Sequence, residues 1–159
     1  MLDPKTLLEL QLYIDLHLQT SSLLCSTEPL YSLELMELDL ESFVKTRRKP
    51  TFAQLLFAHI DKRELRDAQV YKKAGLDRKL FSKIRSNPNY RPRKHTAIAL
   101  ALALELNRNE VDTLLEAAGH ALSKSETADL ILLFCLERGI YSIDDVNAAL
   151  HRFGCKTLN

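Results

Sequence analysis

Apolar residues recur along this chain in two rhythms, and the change from one to the other divides it. In the first 44 residues the leucines tend to alternate with polar neighbours: Leu8, Leu10, Leu12, Ile14, Leu16 and Leu18 occupy every second position, as they would on a half-buried strand. Only Ile14 among them is β-branched, however, and Leu7, Leu8, Leu12 and Leu16 also form a helical stripe, so a helix is predicted from Pro4 to Thr20. SSLLCSTEPLYS, from Ser21 to Ser32, has the composition of a connector, and LELMELDLESF after it reads as a short acidic helix.

From Thr51 the spacing of three and four that marks an amphipathic helix takes over. Phe52, Leu55, Leu56 and Ile60 define one helix, with Thr51 as its cap. Asp67 is placed to cap a second helix running through Ala74, with Val70, Tyr71 and Ala74 inward, and Gly75 supplies the left-handed residue that ends it. Asp77 caps a third, Arg78 to Ser86, whose apolar side is Leu80, Phe81 and Ile84. Asn87 to Lys94 holds two prolines and cannot be continuous helix. TAIALALALEL, Thr96 to Leu106, is apolar all round and made of the best helix formers, which predicts a helix at the centre of the domain. Glu110 to Ala118 follows, ended by Gly119. Ser123 with Glu126, and Ser142 with Asp145, have the spacing of helix starts, and Gly139 and Gly154 of the matching stops. The expected fold class is all-α.

Composition agrees, with 46% hydrophobic residues and few Gly or Pro in 159 residues. The formal charge of +1 conceals a segregation. Residues 1–44 carry one basic and eight acidic side chains, residues 45–94 sixteen and four, and residues 95–159 five and nine. KTRRKP, Lys45 to Pro50, switches the sign and reads as a basic linker between an acidic N-terminal helical segment (1–44) and a domain at 51–119, with a C-terminal helical pair (120–159) packed on that domain. A concentrated positive stretch predicts a polyanionic partner. Cys25, Cys135 and Cys155 have no metal-binding spacing, no apolar run reaches membrane-span length, and the N-terminus lacks the basic start of a signal peptide. A cytoplasmic protein without cofactor or membrane partner is expected.

Two short helices joined by a Gly-containing turn form a helix-turn-helix, whose second helix enters the major groove of DNA. DAQVYKKAGLDRKLFSKIRS, from Asp67 to Ser86, puts Val70, Ala74, Gly75, Leu76, Phe81 and Ile84 where that motif needs inward residues and a turn. With the basic loop, the alanine-rich helix and NRNEVDTLLEAAG, residues 51–119 resemble the five-helix λ-repressor-like (XRE-type) DNA-binding domain. ETADLILLFCLERGIYSIDDVNAALHRFG also resembles a C-terminal module of bacterial multidomain proteins. The first resemblance implies that Arg78, Lys79, Ser82 and Lys83 face base edges. It further implies that Arg85, Arg91, Arg93, Lys94, Lys72 and Lys73 neutralise phosphates. Two positions depart from its pattern: Asp67 stands where a Gln usually touches the DNA backbone, and Tyr71 where an Ala lets the helices approach closely.

The expected function is therefore sequence-specific binding of double-stranded DNA by a bacterial transcriptional regulator, as a homodimer formed through the N-terminal helices or the C-terminal pair. The competing reading is an adaptor or antitoxin-like module of a stress or phage-defence system that holds a protein, for which the acidic N-terminal segment is one contact surface. His17, His59, His95, His120 and His151 are scattered, no Gly-rich phosphate loop is present, and Asp144 and Asp145 suit a helix start, so no catalytic role is expected. His95 closes the basic loop and is a candidate for phosphate contact at low pH. Tyr90 is positioned either to stack on a base or to pack the loop on the central helix.

Overall fold

The computed structural model describes the backbone of residues 4–24 and 29–159 and the side chains of residues 4–15 and 33–159. Among the described residues there are nine helices and no strand. None of the helices is long and apolar enough to cross a membrane. The chain divides into two units, residues 1–48 and residues 49–159.

The first unit contains α1, Pro4–Leu24, and α2, Pro29–Arg47. Both outrun their predicted limits. α1 continues four residues beyond Thr20 and α2 begins within the predicted connector; Cys25, in the remainder of that connector, lies outside the described residues. α2 also takes in Lys45, Thr46 and Arg47, which had read as linker. These three suit a helix end: the Thr46 hydroxyl donates to the Ser42 carbonyl at 2.8 Å, and Lys45 and Arg47 sit at the negative pole of the helix dipole. Pro50, which disfavours helix at the preceding residue, closes the segment.

The second unit holds α3 (Phe52–Lys62), α4 (Asp67–Lys73), α5 (Arg78–Ser86), α6 (Lys94–Ala103), α7 (Arg108–Ala117), α8 (Thr127–Glu137) and α9 (Ile143–Arg152). α6 is its axis. Every residue from Thr96 to Ala103 is buried, as expected of a helix apolar on all sides, and α4, α7 and α9 pack around it. α3 lies on α7, α5 on α4, and α8 between α7 and α9. Phe52, Leu56, Val70, Phe81, Ile84, Leu114, Val146 and Leu150 come from different helices into one core cluster, so the C-terminal pair belongs to the same compact body as α3 to α7.

The predicted caps at Thr51, Asp77 and Ser142 are present. Thr51 and Gln54 exchange side-chain-to-backbone bonds of 2.9 and 3.3 Å in a reciprocal box, and Asn107 with Glu110 does the same for α7. Two local expectations need correction. Asp67 is not the cap but the first residue of α4; Gln69 Oε1 accepts from the Arg66 N–H at 2.9 Å, and the Asp67 carboxylate is turned to another task described below. Ser123 does not open α8, which starts at Thr127: its hydroxyl accepts from the Ser125 N–H at 3.2 Å in a local turn, and its N–H donates to the buried carboxylate of Asp129 at 2.7 Å. Leu80, Phe81 and Ile84 share one side of α5 as expected, Leu80 half-buried and the other two buried.

Candidate nucleic-acid interface

The link between α4 and α5 follows from Gly75, which adopts φ 68°. In that conformation the Leu76 N–H reaches back to the Tyr71 carbonyl at 2.8 Å and the Gly75 N–H to the Lys72 carbonyl at 3.1 Å, satisfying carbonyls at the end of α4. The chain reverses within a few residues, and Asp77 starts α5 by accepting from the Lys79 N–H. Val70 and Ala74 on α4 meet Phe81 and Ile84 on α5 within the buried cluster.

Tyr71, the bulky departure from the resemblance, turns its ring against Phe81, centroids 5.8 Å apart. Phe57 of α3 closes on the other edge of Phe81 at 5.8 Å, nearly perpendicular. Arg85 then lies with its guanidinium carbon 4.1 Å above the Phe57 ring while its Nη2 reaches Asp67 Oδ2 at 2.6 Å. Asp67 therefore serves as the partner that fixes α5 against α4 through Arg85. Cation, ring and carboxylate form one bracket across α3, α4 and α5.

The inward turn of Phe81 and Ile84 dictates what faces solvent, because residues 100° apart on a helix fall on predictable sides. Arg78, Ser82, Lys79 and Lys83 occupy a continuous outward arc and are all exposed. Lys83 Nζ sits 5.2 Å over the ring of Tyr90, which is half-buried against the core; Tyr90 thus packs the loop and at the same time props one end of the arc. Lys72, Arg91 and Arg93 are exposed too. Among the described residues Arg78, Lys79, Lys83, Lys72, Arg91 and Arg93 have no carboxylate within ion-pair distance.

Three of the ten predicted contact residues behave differently. Lys73 pairs with Glu105 at 2.6 Å, Arg85 with Asp67 as above, and Lys94 with Asp129 at 2.6 Å. Their charge is committed within the fold. The Lys73 contact also holds the Glu105 carboxyl below its usual range, first through the hydrogen bond and then through the ammonium charge. The basic surface centres on the outward arc of α5 and the loop after it, and is narrower than the sequence suggested.

That loop is held from behind by residues that sequence reading did not single out. Asp129 is 4% exposed, and its Oδ2 accepts both from Lys94 Nζ at the start of α6 and from the Ser123 N–H. His120 Nε2 donates to the Pro92 carbonyl at 2.9 Å. Two clasps therefore anchor Pro92 and Lys94, with Arg93 outward between them and Arg91 outward just before. An acid in the first turn of α8, directly before its apolar run, was the available signal for Asp129, since a carboxylate on a buried helix needs a partner. His95, beside this loop, is depressed by burial and by the charges of Lys156 and Arg93. Its ring therefore takes up a proton less readily than a free imidazole, which works against the phosphate contact expected of it at low pH.

Compared with known proteins, the chain matches no family model, no curated protein and no solved structure.

Proposed function

We propose that residues 49–159 are a DNA-binding module of the helix-turn-helix class and that the protein is a sequence-specific regulator, acting by binding rather than catalysis. The arrangement of α3 to α7 is read as the five-helix λ-repressor-like domain. The observation that carries the proposal is the outward arc of α5: Arg78, Lys79, Ser82 and Lys83 lie on one side of a helix whose other side is anchored by Phe81 and Ile84. A helix fixed in that way, with its long polar side chains free, suits insertion into a major groove. Arg78 is the natural bidentate partner for guanine. Arg91 and Arg93 extend the positive surface to the flanking phosphates, which fix register without reading sequence.

The test is fluorescence anisotropy of the full chain on mixed-sequence duplexes at several salt concentrations, beside a Lys79→Glu, Lys83→Glu double variant. Binding should weaken steeply with salt, by about 0.9 log units per log unit of salt for each phosphate neutralised, and vanish in the variant. Salt-independent binding, or binding retained by the variant, would refute the use of this face.

One observation favours the competing reading of an adaptor or antitoxin-like module. Lys73, Arg85 and Lys94 are already neutralised by carboxylates of the fold, which leaves fewer cations to grip a duplex. An acidic protein would then be the partner, and a stoichiometric protein co-purifying with the chain, with no duplex bound at low salt, would decide for it.

A further inference from the structure

We propose that residues 1–48 form a self-association module in which Leu33, Met36, Leu40 and Phe43 of α2 pack on the same surface of a second copy of this chain. Every described side chain of α1 and α2 is exposed. The large apolar ones range from 42% exposed at Ile14 to 67% at Met36. Leu33, Met36, Leu40 and Phe43, 55% to 67% exposed, together present on the order of 450 Å², close to the non-polar share of the roughly 800 Å² that each partner contributes to a standard interface.

The four residues are spaced three, four and three apart, the a and d positions of a heptad. At 100° per residue they fall on one seam. Glu37 and Asp39 flank it, Glu34 and Glu41 lie further round, and Leu35 and Leu38 are on the far side. Arg47, one step beyond Phe43 in the same register, already covers that ring at 5.3 Å. α1 repeats the arrangement with Leu7, Leu10 and Ile14, while Glu9 and Asp15 stand off the seam. A surface with acids on its flanks and none in its centre calls for an apolar partner of matching spacing, and a second copy supplies one by two-fold symmetry. A basic partner would leave the seam itself unfilled. The inference stands on the first unit alone and does not rest on the DNA-binding reading.

It makes a prediction about salt opposite in sign to that for nucleic acid. The acidic flanks of two copies repel, so screening them tightens association. Sedimentation equilibrium of the full chain should show a dimer that holds or strengthens between 100 and 500 mM NaCl. Met36→Ala with Leu40→Ala keeps strong helix formers in place and removes the centre of the seam from both copies, so it should weaken dimerisation by about ten-thousandfold, a factor of ten for each of the four lost anchors. Leu35→Ala with Leu38→Ala, on the far side, should leave the mass of a dimer. A far-UV circular dichroism spectrum unchanged in both variants shows that they fold. A wild-type chain that stays monomeric, a dimer that dissociates as salt rises, or equal loss in both double variants would each overturn the proposal.

Discussion

Leu56, Leu100 and Leu114 in the second unit are the same side chain, on the same kind of element, as Leu8, Leu12 and Leu38 in the first. The former are 0% exposed and the latter 60% to 62%. Spacing accounts for much of the contrast. α3 and α7 gather their apolar residues on one side and turn it to a neighbour, so each leucine meets another helix. In α1 and α2 the near-alternating leucines point round the whole cylinder, and one helix cannot cover all sides of another. Similar hydrophobicity thus gives a closed core in one region and an open apolar surface in the other.

The largest expected effect tests that contrast directly. Leu56→Ala or Leu114→Ala should lower the stability of the second unit by about 2–5 kcal/mol, transfer and cavity costs together. Leu38→Ala should shift the same urea transition by less than about 0.5 kcal/mol, as an exposed substitution does. Comparable losses would mean that Leu38 supports the core after all.

Asp129 is the polar counterpart of those buried leucines, and its removal comes next. Asp129→Ala leaves the Ser123 N–H and the Lys94 ammonium without their shared acceptor, and should cost about 1–3 kcal/mol in urea unfolding. Because Lys94 anchors the basic loop, the DNA-binding reading proposed above also requires the variant to bind a duplex more weakly than the wild type under conditions where both are folded. Undiminished affinity would show that the loop needs no clasp from α8.

On the DNA-binding reading proposed above, substitutions of Arg78 and Arg93 should separate base contact from phosphate contact. Arg78→Ala should weaken binding by about 1–3 kcal/mol on the preferred duplex and relax the preference, whereas Arg93→Ala should weaken all duplexes alike and reduce the salt slope by about one. Anisotropy on the preferred duplex and on scrambled ones measures both. If the two variants lose the same factor on every duplex, Arg78 reads no base.

Much of the second unit was legible because its signals are local. Thr51, Asp77 and Ser142 mark helix starts, and Gly75, Gly119, Gly139 and Gly154 mark helix stops, all four glycines at positive φ. The outward arc of α5 follows from the period once Phe81 and Ile84 are inward. What escaped depends on partners remote in sequence. The pairing of Arg85 with Asp67 spans 18 positions and that of Lys94 with Asp129 spans 35, so no spacing rule reaches them, and the basic surface looked wider than it is. The ends of α3 and α6 escaped for another reason: Glu64 and Glu105 take the left-handed conformation usually left to glycine, at φ 53° and 54°. The backbone closes behind them as it does behind Gly75, with Leu65 N–H to the Ile60 carbonyl and Leu106 N–H to the Ala101 carbonyl, and the buried Leu106 pulls the chain through the turn.

The smallest expected effect is a pH dependence confined to the second unit. His59 is depressed chiefly by burial, and Arg63 and Lys62 add to this against the opposing charge of Glu110. Arg63 Nη1 also lies 3.3 Å from its Nδ1, a contact that a neutral ring accepts and an imidazolium cannot. With His95 depressed as well, the unfolded chain takes up protons before the folded one as the pH falls below about 6.5, so stability declines from that point. Glu105 and Glu110 are held low in the fold, and their contribution, present above about pH 4.5, is lost as the pH falls further. Burial alone would raise Glu110; the Asn107 N–H and the nearby Arg63 outweigh it. Both limbs have the same sign, giving a two-step acid destabilisation in urea unfolding followed from about pH 8 to about pH 3. His59→Asn with His95→Asn should flatten the first step and spare the second. A gain in stability between pH 7 and pH 5.5 would contradict both assignments, since it requires an imidazolium that the fold favours.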